Sequence, residues 1–179
     1  MNEPYGLALN ADGTALCTFS DDAKAVFKLD FKGRLSVSKS SFIGVDDLEG
    51  IAITSDGRSS LLVQEGVNAI LLVDLDSRHE MSRRPFVGMA NYNNIRDYSP
   101  DPLDNKRLEG IAVNTRNNHV FVVKEGPPGF LIEIDADLQT VLDARVLSSE
   151  NGFDHTSVGA KKLDFPGLSY DGFMAQFGL

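Results

Sequence analysis

The chain has 179 residues, 42% of them hydrophobic and 24% charged, a balance that excludes a disordered polymer and suits one folded domain spanning residues 1–179. Its 26 acidic residues outnumber 17 basic ones, and the net charge of −9 excludes the basic surface that nucleic-acid phosphates require. One cysteine excludes a disulfide framework, and no apolar run reaches the roughly 18 residues of a membrane span, so no transmembrane segment is expected.

In chain order, the first ten residues carry neither a basic n-region nor an apolar h-region. They do not read as a signal peptide, and a cytoplasmic location stays open. Short apolar strands are predicted over 7–10, 15–19 and 25–30, separated by Asp-Gly and Asp-Asp turns. Cys17, beside Leu16 and Phe19, reads as a small buried hydrophobe. The same series returns over 51–54, 60–64 and 69–74, and again over 111–114, 119–123 and 130–135. Outer, more polar fourth strands are predicted over 34–40 and 82–88. Between the second and third series lies a long irregular stretch, 88–106, with Tyr92, Arg96, Tyr98, Asp101 and Asp104. A stretch this long is either a binding surface over the neighbouring acids or a passive insertion.

These series are copies of one unit. Each opens on a glycine (Gly6, Gly50, Gly110, Gly167), and the second and third share Leu-Glu-Gly-Ile-Ala. The spacing of roughly 45–60 residues is that of a propeller blade with variable loops. Antiparallel strands in repeated units with no amphipathic helix predict an all-β fold, a β-propeller of four-stranded antiparallel blades. Blade units begin near Glu3, Asp47, Arg107 and Asp164, and the last is incomplete. The expectation is therefore a partial or truncated propeller, or one completed by a partner chain. Ala8, Ala52 and Ala112 share one repeat position, where small side chains let inner strands pack around a channel.

If each inner strand starts at its glycine and the second strand runs back beside it, carboxylates converge on one mouth of the channel. Glu49 and Glu109 precede their glycines, and Asp21, Glu65 and Glu125 stand fifteen positions after theirs. Such a cluster resists ionisation unless a cation or basic groups compensate it. Hard oxygen donors without His or Cys suit Ca²⁺. The alternative is that these acids cap amides or pair with Lys24, Arg107 or Lys124. Asp30, Asp74 and Asp135 end the third strands on the opposite rim and read as turn formers. No Gly-x-Ser-x-Gly elbow occurs, and His79, His119 and His155 lie in polar surroundings, so no catalytic residue is assigned.

The repeated Leu-Glu-Gly-Ile-Ala units, with "LLVQEG", "VFVVKEG" and the final "DFPGLSYDG" in order, resemble the SdiA-regulated family of bacterial proteins. The resemblance implies a five-bladed propeller distantly related to NHL-repeat proteins, periplasmic or otherwise exported, with bound calcium and no established catalysis. It points to Glu49 and Glu109, then Glu65 and Glu125, as ligands. The expected role is a calcium-binding scaffold that takes a protein or small-molecule partner at the channel mouth. A calcium-dependent hydrolase of phosphate or ester substrates, like phytase, esterase or lactonase propellers, is the other reading.

Overall fold

The computed structural model describes residues 4–36, 41–77, 79–97, 108–124, 128–153 and 167–171. Among them the chain forms three antiparallel sheets, each a meander of consecutive strands. Sheet 1 holds β1 (Pro4–Leu9), β2 (Leu16–Ser20), β3 (Ala25–Leu29) and the short β4 (Ser41–Phe42). Sheet 2 holds β5 (Leu48–Ile53), β6 (Ser59–Gln64), β7 (Ala69–Asp74) and β8 (Glu80–Pro85). Sheet 3 holds β9 (Leu108–Val113), β10 (Val120–Lys124), β11 (Gly129–Ile134) and β12 (Val141–Leu147).

Four departures from the predicted strands stand out. The inner strands β1, β5 and β9 begin two residues before their glycines, because a bulge lets the ladder run past the irregular step. The outer strand of sheet 1 is Ser41–Phe42, and among the described residues of the predicted stretch Leu35 makes a bridge to Leu29. That of sheet 2 stops at Pro85, after which Phe86–Gly88 tightens into a 3-10 turn. In sheet 3 the four-stranded plan is completed by β12, in a stretch to which the sequence reading assigns no strand. Its alternation is blurred by Asp143 and Arg145, which lie on the exposed outer edge.

The sheets pack face to face with their first strands innermost, β1 against β5 and β5 against β9. Period-two alternation divides β6 between two cores. Leu62 enters the cluster between sheets 1 and 2, with Cys17, Phe19, Val26, Ile51 and Leu71. Leu61 and Val63 enter the cluster between sheets 2 and 3, with Ile70, Ile111, Val122 and Ile132. Both faces of the middle sheet are thus dry, which is why β6 is buried along its whole length. Burial also pushes the Cys17 thiol upward, against a smaller opposing pull from Lys28, so this cysteine is inert packing.

The repeat glycines sit where inner strands touch. A Cβ on Gly50 would lie 2.8 Å from the Glu109 carbonyl oxygen and 3.1 Å from the Ile111 nitrogen. One on Gly110 would lie 2.8 Å from the Leu168 nitrogen, so Gly167 and Leu168 run beside β9 without forming a strand among the described residues. Glycine, rather than the alanine two positions on, sets the distance between sheets. The described part of the long stretch packs onto sheet 3 instead of covering the acids. Met89 and Ile95 are buried, and Ala90 exchanges backbone hydrogen bonds with the β11–β12 turn. Tyr98, Asp101 and Asp104 lie outside the described residues.

At the far ends of the third strands, carboxylates hold the turns. Asp30 accepts the N–H groups of Lys32 and Arg34 (both 2.9 Å), and Asp74 accepts those of Asp76 and Ser77. Asp135 accepts those of Gln139 (2.7 Å) and Thr140 (3.0 Å). Partial burial is the largest single effect and raises the Asp135 carboxyl, but the two amides together with the Thr140 side chain and the nearby His119 hold the group below the ordinary carboxylate range. A depressed folded-state value contributes stability above about pH 4 that is lost as pH falls through that value. Urea midpoints should therefore fall between about pH 4 and pH 2, and the fall should be shallower in Asp135→Asn, which keeps the acceptor without the titration.

Candidate metal centre

The site is built by the bulge in β5. Leu48 pairs with Gln64 and Gly50 with Val63, so Glu49 is skipped by the ladder. A bulged residue is released from strict alternation and its side chain is re-aimed. Asp47, just before the strand, adopts a left-handed backbone (φ 63°), which Asp tolerates better than most residues. The Glu65 N–H donates to the Asp47 carbonyl at 2.8 Å, clamping the turn after β6 onto the entry to β5. As a result one carboxylate oxygen from each of Asp47, Glu49 and Glu65 lies within 4.8 Å of the other two. All three side chains are half-buried. Oxygens bound to one Ca²⁺ at about 2.4 Å lie at most about 4.8 Å apart, so this spacing fits a shared ion.

Gln64 immediately precedes Glu65 in the chain. Its residue is 7% exposed, and its amide nitrogen donates to the Asp46 carbonyl at 3.1 Å. Its side-chain oxygen is buried with no hydrogen-bond donor among the described residues. Buried acceptors left in that condition cost about 1–3 kcal/mol, so a donor or cation there is favoured. The equivalent repeat positions are Ser20 and Lys124, also buried, so each of the three sheets closes its second strand on a buried polar residue. The signal in the sequence was a polar residue closing each apolar second strand.

The expected site residues divide. Glu49 and Glu65 come together, and Asp47, which stands three positions before the repeat glycine, completes the trio. Glu109 occupies the same bulge in sheet 3 but is not a member of this trio. Asp21 points instead at the neighbouring sheet, where its Oδ1 accepts the Leu48 N–H at 3.3 Å and ties sheet 1 to the start of β5. Glu125 and Arg107 lie outside the described residues. Lys24 donates to Asp46 at 2.7 Å, an exposed pair that lies next to the trio without belonging to it. That hydrogen bond and its charge attraction raise the Lys24 ammonium above its usual value.

The imidazoles sit elsewhere. His79 Nδ1 is 2.7 Å from the Ser77 carbonyl, and His119 Nδ1 is 2.7 Å from Glu133 Oε1. Both belong to the rim opposite the trio, and His155 lies outside the described residues. No helix among the described residues is long and apolar enough to cross a membrane.

The fold has solved counterparts. Hydrazine synthase of Kuenenia stuttgartiensis superposes with a TM-score of 0.55 at 17% identity, over 80% of this chain and 37% of that one. U3-55K gives 0.50 at 12% identity over 79% of this chain and 38% of that chain, and the WD40 repeats of RRP9 give 0.50 at 11% over the same shares. At these identities the likeness concerns architecture, and WD40 repeats build propeller blades. The chain spans less than two fifths of the length of each of these structures. No curated protein matches it. The family model of the SdiA-regulated proteins matches residues 2–172, and with the glycine-marked blades in register along that span, this chain belongs to the SdiA-regulated family.

Proposed function

We propose that this chain is a calcium-binding propeller module, built on the five-bladed, four-stranded plan, that offers its channel mouth to a protein or small-molecule partner. The observation that carries the reading is the Asp47–Glu49–Glu65 trio, three hard donors at one-ion spacing. The buried side-chain oxygen of Gln64, next to Glu65 in the chain and without a donor among the described residues, supports it. Asp47, Glu49 and Glu65 would hold the ion, which when bound supplies the positive charge their mutual repulsion requires. Binding is preferred to turnover because the two described histidines, the readiest proton carriers, belong to the opposite rim. Periplasmic or otherwise exported residence follows the family resemblance, and cell fractionation tests it.

Calcium should raise the melting temperature of the full chain, magnesium should raise it less, and EDTA should reverse the gain. At calcium one hundred times its dissociation constant the expected stabilisation is about 2.7 kcal/mol. Glu49→Gln/Glu65→Gln should remain folded and lose that response, whereas Glu109→Gln should keep most of it. A folded wild type that ignores calcium would remove the metal claim. Turnover of phosphoester, ester or lactone substrates, lost in the double variant, would favour the hydrolase instead.

A further inference from the structure

The rim opposite the acid trio carries a crevice at each junction between consecutive sheets, and the two are repeat equivalents. The one between sheets 1 and 2 has a volume of 260 Å³, and its lining includes Cys17, Lys28 and Leu75. The one between sheets 2 and 3 has 570 Å³, and at the same repeat positions it presents Leu61, Leu72 and Ala136. Leu75 and Ala136 each follow the aspartate that ends a third strand, so the smaller side chain leaves the second crevice wider. Leu72 in place of Lys28 makes its wall more apolar. The larger volume falls within the range of sites that hold small molecules. Both of its walls belong to consecutive blades among the described residues.

Leu61, Val120 and Leu138 are buried in the floor of this crevice. Leu138 stands three residues after Asp135, as Gly33 stands after Asp30, and keeps the same left-handed backbone (φ 56° against 76°). That conformation disfavours a large side chain, yet here the side chain is buried. Opposite charges lie toward the two ends. Ser82 pairs with Leu72 and Arg84 with Ile70, so both face one side of β8, and Arg84 lies further from the rim. Asp137 belongs to the β11–β12 turn, at the rim itself. Glu80 holds Arg83 at 2.9 Å, but among the described residues neither Arg84 nor Asp137 forms an ion pair. The strand run from Glu80, near the rim, to Arg84 is about 13 Å.

We propose that this crevice binds a short apolar peptide with free termini. Its carboxylate meets the Arg84 guanidinium and the Ser82 hydroxyl, its ammonium meets Asp137, and its side chains lie on the floor of Leu61, Val120 and Leu138. An extended tripeptide is about 10 Å long, which matches the separation of the two charges along the crevice. A single amino acid is too short to reach both. The opposite signs of Arg84 and Asp137 fix the direction of the peptide and disfavour a fatty acid or an amine, which leaves one charge without a partner. This inference is independent of the calcium reading, because the trio lies on the other rim.

Titration calorimetry of the full chain with the tripeptide Leu-Ala-Leu tests it. Wild type should bind one equivalent, and acetylating the amino end or amidating the carboxyl end should each weaken binding by about tenfold or more. Arg84→Gln should lose as much affinity for the free peptide and be indifferent to amidation, while Asp137→Asn should be indifferent to acetylation. Both residues are exposed, and circular dichroism should report an unchanged fold. Ala136→Leu, which restores the side chain of the narrower crevice, should abolish binding without altering any charge. Glu49→Gln/Glu65→Gln should bind the peptide as wild type does. Wild type that ignores the tripeptide at millimolar concentration, binding that survives Ala136→Leu, or free leucine binding as tightly as the tripeptide would overturn the proposal.

Discussion

Gly50→Ala should destabilise the protein by about 2–3 kcal/mol, although it adds one methyl group. The new Cβ would meet the Glu109 carbonyl oxygen at 2.8 Å, the Ile111 nitrogen at 3.1 Å and the Gly110 Cα at 3.2 Å. These are backbone atoms of the neighbouring sheet and cannot rotate away. Relief requires sheets 2 and 3 to separate, which would loosen the cluster around Leu61, Val63, Ile111 and Val122. The melting temperature should fall by about 5–10 °C for a domain of this size. Gly88→Ala provides the control, since nothing lies within 4 Å of its Cβ position, and it should stay within about 0.5 kcal/mol of wild type. Equal effects of the two substitutions would refute the close-approach account.

Phe19→Ala should cost about 4 kcal/mol and lower the urea midpoint accordingly. The ring is fully buried and stacks on Tyr5 with centroids 6.1 Å apart. It also reaches the empty side of Gly6, where its Cε1 lies 2.8 Å from the Cβ position. Phe19 thus fills the space that the glycine vacates and joins sheet 1 to Ile51 and Leu62. The two other copies of this position are Val63 and Val123, which are too small to occupy such a volume. Phe19→Leu should recover about half the loss by restoring part of the filled volume. A loss of less than about 1 kcal/mol on Phe19→Ala would mean that the junction closes over the void.

The fold was largely legible because its signals are local and repeated. Hairpin turns need residues that accept a left-handed backbone, and Gly13 (φ 69°) and Gly57 (φ 70°) supply it at matching places. Alternating apolar strands between such turns leave few choices beyond antiparallel meanders. The outer strands were less legible, since β8 is largely exposed and β12 buries only Val141 fully, leaving a weak pattern to read.

The candidate site was legible in composition and not in membership. Glu49 and Glu65 stand at marked repeat positions, so their convergence on one rim follows from strand direction. Asp21 shares the repeat position of Glu65, yet it bonds the Leu48 amide across a sheet boundary. Glu109 shares the position of Glu49, yet it is not part of the trio. Equivalent positions in a repeat share a backbone and not a neighbourhood, because each blade meets different loops.

The repeat, its glycine register and the rim that Glu49 and Glu65 share are all readable from strand period and turn chemistry. Packing between distant segments makes the glycine an inter-sheet contact, sets the glutamate before it on a bulge, and brings the Asp47 carboxylate beside Glu49 and Glu65. Those outcomes depend on distances between segments far apart in the chain, which no local pattern encodes. The carboxylate in Leu-Glu-Gly is set by the bulge, and the glycine by the strand packed beside it.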